Sequence, residues 1–92
     1  MNTFLRGTLA FLVAAALGLS QVGCGTRTPA EHVAEAKNLI AKGELNSASI
    51  ELTNALQQDA NSLEARWLLG QVSLDLGDGA RAEKEIRRAI EL

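Results

Sequence analysis

The feature that most constrains this 92-residue chain is its match to itself. Displaced by 34 residues, Gly43 falls on Gly77, Ala48 on Ala82, Glu51 on Glu85 and Ala55 on Ala89. Similar residues fill the register between them: Ile40 on Leu74, Glu44 on Asp78, Leu52 on Ile86 and Leu56 on Ile90. A period of this length means a supersecondary unit that cannot bury its apolar face alone and does so by stacking on its neighbour. Periodicity within each copy is helical. Leu45, Ala48, Ser49, Leu52, Ala55 and Leu56 fall three or four apart on one stripe, as do Ala82, Ile86, Ala89 and Ile90. No segment alternates as a strand does.

Local signals place the helix ends. Thr28-Pro29-Ala30-Glu31 combines an N-cap threonine, a proline at the first helical position and a glutamate three residues after the cap. Asn61-Ser62-Leu63-Glu64 repeats the arrangement with Asn61 as cap. Gly43 and Gly77 accept the left-handed conformation that ends a helix. The expected helices span 29–42, 45–58, 62–76 and 79–91. On the last of them Arg81–Glu85, Glu83–Arg87 and Arg87–Glu91 are spaced i,i+4 and read as a solvated, ion-paired face.

A 34-residue helix-turn-helix unit resembles the tetratricopeptide repeat. The second copy carries the pattern in Leu69-Gly70, Leu76-Gly77-Asp78, Ala82, Ile86 and Ala89, departing from it at Ser73 and Gly79. The first carries Ala36, Leu39, Gly43, Ala48, Leu52 and Ala55, departing at Glu35 and Ala60. The resemblance implies an all-α fold of two stacked repeats, residues 29–62 and 63–92, behind an N-terminal signal helix. It also implies a concave face, lined by the first helix of each unit, that holds peptides or helices of other proteins. The groove positions carry over to Val33, Lys37 and Ile40 in the first copy and to Trp67, Gln71 and Leu74 in the second. Trp67 admits two readings, an anchor for a partner or packing between the copies.

Residues 1–23 read differently. Arg6 is followed by an uncharged apolar run from Leu9 to Leu19, the pattern of an export signal and shorter than the roughly 20 residues of a spanning helix. The run leads into Gln21-Val22-Gly23-Cys24, which resembles the lipobox of bacterial lipoproteins, with Gln21 departing from it. The resemblance implies cleavage before Cys24, lipidation of its thiol and acylation, for instance by palmitate, of the new amine. Stable anchoring takes two or more acyl chains, and such a modification supplies them. Residues 24–28 then form a tether of Cys24 and four further residues, which reach at most ~14 Å from the lipid. The absence of Asp at residue 25, read as in enterobacterial lipoproteins, leans toward the outer rather than the inner membrane, on the periplasmic side.

Composition excludes other classes. Aromatic residues are 3% of the chain, and beyond the leader only Trp67 remains. Nine basic against eleven acidic residues give a net charge of −2 and no footprint for nucleic acid. One Cys and one His provide neither a disulfide nor a metal site, and no cofactor is expected. His32 has neighbours in Glu31, Glu35 and Ala36 but no nucleophile, and reads as a surface or helix-end residue. No serine has a nucleophile-elbow context and no glycine opens a phosphate loop, so no enzyme is expected.

The order of lipobox, short tether, Glu31-His32-Val33-Ala34-Glu35-Ala36-Lys37 and Glu64-Ala65-Arg66-Trp67-Leu68-Leu69-Gly70 resembles one family in particular. These are the tetratricopeptide lipoproteins that accompany PEP-CTERM/exosortase sorting and exopolysaccharide export. Members of that family are far longer, which implies that this chain is an N-terminal part, adding further repeats or self-associating. The alternatives are a lipoprotein of pilus or outer-membrane-protein assembly, the non-catalytic front of a repeat-bearing enzyme, and a structural tether without a specific partner.

Overall fold

The computed structural model describes residues 27–92. The signal segment, Cys24 and most of the tether lie outside the described residues. Four helices follow in order: α1, Pro29–Ala41; α2, Leu45–Gln58; α3, Leu63–Asp75; and α4, Gly79–Glu91. Among the described residues there is no strand, and no helix is long and apolar enough to cross a membrane. The all-α helix-turn-helix repeat expected from the 34-residue period is the architecture observed.

The caps explain the boundaries. Thr28 Oγ1 accepts from the Glu31 N–H at 3.2 Å, and the Thr28 N–H donates back to Glu31 Oε1 at 3.4 Å. This closes the expected capping box. At the far end of α1, Gly43 takes φ +76°. Its N–H donates to the Ile40 carbonyl at 3.0 Å, and that of Glu44 to the Leu39 carbonyl at 2.9 Å. Gly77, at φ +82°, ends α3 through the same pair of bonds, Gly77 to Leu74 and Asp78 to Ser73. Both are Schellman endings, which satisfy carbonyls that the helix leaves open.

One cap differs from the sequence reading. Ser62, not Asn61, caps α3, its Oγ accepting from the Ala65 N–H at 3.2 Å. The Asn61 N–H donates to Asp59 Oδ1 at 3.1 Å, a local turn just ahead of the helix. Moving the cap by one residue also takes Glu64 out of capping-box register.

Packing runs along the chain: α1 lies on α2, α2 on α3, and α3 on α4, while α1 and α3 touch only sparsely. The core is built from Val33, Ala36, Ala48, Leu52, Ala55, Ala65, Leu69 and Val72, with Leu39, Ile40, Leu45, Leu56 and Leu68 packed around it. Four of these are alanines with no exposed surface, so the helix backbones approach closely where they cross. Gly70 takes this furthest, since a Cβ added there would sit 2.6 Å from Ile86 Cγ1. The apolar stripe of α2 is covered as expected. That of α4 is covered only on one side: Ala82 and Ala89 are buried, Ile86 is half-buried and Ile90 is 78% exposed.

Candidate partner-binding surface

On α3, Trp67, Gln71 and Leu74 follow at i, i+4 and i+7 and share one face. All three are exposed, Trp67 at 47% and Leu74 at 56%. Trp67 lies outside the buried core cluster, with about half of its surface exposed. The first-copy positions behave differently. Val33 is buried in the core at 6% exposure and Ile40 is half-buried against it. Only Lys37 is exposed among the three. The lesser exposure of Val33 and Ile40 has a plain cause: both side chains pack against the core that α1 shares with α2.

Lys37 is not idle. Its ammonium pairs with the Glu64 carboxylate of α3, both side chains remaining more than half exposed, and so the pair joins the two first helices across the gap between them. Val33, Lys37 and Glu64 line a cleft of about 310 Å³ there, together with Pro29 and Ser62. The surface thus has an apolar, aromatic part on α3 and a charged, partly neutralised part at the α1–α3 junction. Sequence reasoning missed Glu64, whose exposure and place beside Lys37 become visible only once α1 and α3 are side by side.

Two polar pairs missed by the sequence reading hold each helix hairpin from inside. His32 Nδ1 lies 2.6 Å from Glu51 Oε2, bridging α1 and α2, and the imidazole side chain is 12% exposed. It is therefore neither a surface residue nor partnered by its own helix. Arg66 Nη1 donates to Glu85 Oε2 at 2.7 Å, bridging α3 and α4, and Arg66 Nε donates to the Ala60 carbonyl at 3.0 Å. Glu85 is 5% exposed. The expected solvated face of α4 is corrected accordingly: of its three i,i+4 pairs, Glu83–Arg87 is present at 2.6 Å. Glu85 turns inward to Arg66, and Arg81 reaches Thr53 Oγ1 of α2 at 3.0 Å.

Among the described residues no group of His, Cys, Asp and Glu could hold a metal ion. The stripe presents an aromatic ring, an amide and an aliphatic chain, which can bind but offer no nucleophile beside a base.

The family model described as Tetratricopeptide repeat matches residues 39–92, more than half of the chain. The chain belongs to the tetratricopeptide repeat family. The match begins late in α1, and the rest of that helix joins the repeat through the 34-residue internal register. No curated protein and no solved structure matches the chain. Tetratricopeptide repeats generally mediate protein–protein binding and are generally non-catalytic, which is the coarse function this membership gives.

Proposed function

We propose that this tetratricopeptide repeat protein is a lipid-anchored interaction scaffold at the periplasmic face, serving PEP-CTERM protein sorting or exopolysaccharide export. Its partner is a protein segment, extended or helical, that lies along α3 and buries the Trp67 ring, with Gln71 supplying an orienting amide. The single observation behind this reading is the half-exposed Trp67 on a face shared with Gln71 and Leu74. Large rigid aromatics of this kind dominate binding energy where they are desolvated by a partner. Support for the anchor comes from the sequence alone: the apolar run from Leu9 to Leu19 followed by Gly23-Cys24. Support for the pathway is the order of sequence blocks it shares with that lipoprotein family.

The test uses a photo-crosslinking residue at position 71 of the full chain in cells, with adducts identified by mass spectrometry. A discrete protein adduct that disappears in Trp67→Ala, with helicity unchanged, supports the scaffold reading. Adducts indifferent to Trp67 sink it. Acyl-chain labelling of the full chain and of Cys24→Ser tests the anchor separately, and an unlabelled wild-type chain removes that half.

A further inference from the structure

A second site lies away from the stripe and shares no residue with it. Between α2 and α4 a cavity of about 580 Å³ is lined by Thr53, Leu56, Arg66, Arg81, Lys84 and Glu85. Three cations and one carboxylate face it, in a chain whose net charge is −2. Glu85 is already neutralised by Arg66, and both side chains are nearly buried. Arg81 and Lys84 have no acidic partner within ion-pair distance among the described residues. Two positive charges therefore stand uncompensated over one recess.

Arg81 is held in place. Its Nη2 donates to Thr53 Oγ1 at 3.0 Å, and that hydroxyl donates in turn to the Ser49 carbonyl at 2.8 Å. The guanidinium keeps its remaining donors and its full charge, because Thr53 is neutral. Ala80, in the first turn of α4, also lines the cavity, and the helix start itself is capped by the Asp78 carboxylate, which accepts from the Arg81 N–H at 3.0 Å. Leu56 and Leu69 give the recess an apolar side.

We infer that this cavity binds a phosphomonoester dianion, with the phosphate between Arg81 and Lys84 and its organic group over Leu56 and Leu69. A dianion matches the two free charges. Arginine with a second cation is suited to phosphate oxygens, which accept charge-assisted bonds in several directions. The phosphate belongs either to a soluble ester or to a lipid headgroup, and the two sources are separable.

The test titrates the full chain with phenyl phosphate, inorganic phosphate and phenol, following amide shifts at Gly79 and Ala80 and the side-chain Nε–H of Arg81. Phenyl phosphate is expected to bind, to weaken as salt rises, and to outcompete both fragments. Arg81→Gln and Lys84→Gln each lower its affinity about tenfold or more, the size expected for losing one charge-assisted contact, with helicity unchanged. Equal binding of phenol, or affinity unaltered in both variants, overturns the proposal. Vesicles containing phosphatidic acid, set against phosphatidylcholine, give the second arm. The difference between the wild-type chain and Arg81→Gln is read, since the apolar leader contributes equally to both. A wild-type excess on phosphatidic acid assigns the headgroup, and binding of the soluble ester alone assigns a free one.

Discussion

Arg66 of α3 reaches Glu85 of α4 in the same register in which His32 of α1 reaches Glu51 of α2. The 34-residue shift carries both members of one pair onto the other. Each hairpin is thus pinned by a cation or imidazole from its first helix and a glutamate from its second. The pair is more deeply buried in the second repeat, where the side chains are 11% and 7% exposed, against 12% and 21% in the first.

Breaking that pair on one side leaves an uncompensated buried charge. Arg66→Ala is expected to cost about 3–5 kcal/mol, read as a lower midpoint in urea denaturation followed by far-UV circular dichroism. The joint change Arg66→Met with Glu85→Leu restores most of it, because no charge is then stranded. Removing Glu51, whose side chain is 21% exposed, from His32 costs less, about 1.5–3 kcal/mol. A single-site cost at Arg66 below that of the surface pair Glu83–Arg87, about 0.5 kcal/mol or less, would show that the buried pair does not hold the hairpin.

Gly70 and Ile86 predict a steric coupling. Gly70→Ala places a Cβ 2.6 Å from Ile86 Cγ1, in a helix where alanine is otherwise the better residue. Overpacking of this kind costs about 1–3 kcal/mol. In an Ile86→Ala background the clash is gone and the same substitution should become neutral or stabilising. Urea denaturation of the four-member cycle measures this, and an additive cycle would refute it.

At Gly43 and Gly77 the same change acts for another reason. An added Cβ there meets nothing within 4 Å, so the cost is the left-handed backbone alone. Each Gly→Ala change is expected to cost about 1–2 kcal/mol, and Gly→Asn less, since asparagine tolerates this region. Thermal melts showing equal cost for both replacements would point away from backbone strain.

Much of this fold was legible because its signals are local. Caps and glycines act within a turn, so α1, α2 and α4 begin and end within a residue of expectation, and the one shifted cap is Ser62, whose hydroxyl meets the same need one residue after Asn61. What the sequence hid is tertiary. Glu85 has a good i−4 partner in Arg81, yet it turns to Arg66, 19 residues away, because α3 offers a buried guanidinium that the helix surface does not. His32 and Arg66 differ in type, and so their common register was invisible in a comparison of like with like. For the candidate stripe, the family's groove pattern named Trp67, Gln71 and Leu74, and only packing shows that the described residues leave all three exposed, while Val33 at the equivalent position of α1 is buried.

That contrast leads to the prediction on which the scaffold reading depends. Trp67 is half exposed and outside the core cluster, so its removal strands no polar group and opens no internal cavity. Trp67→Ala is therefore expected to change stability by about 0.5 kcal/mol or less, whereas a ring that anchors a partner typically contributes about 2 kcal/mol or more to binding. Leu69→Ala supplies the contrast, because Leu69 is 2% exposed and its truncation should cost about 2–5 kcal/mol of folding stability. Urea denaturation of both variants, set beside the yield of the position-71 crosslink, separates the two roles. A Trp67→Ala chain that melts as early as Leu69→Ala would mean that the ring is structural, and the exposed face of α3 would lose its claim as a docking surface.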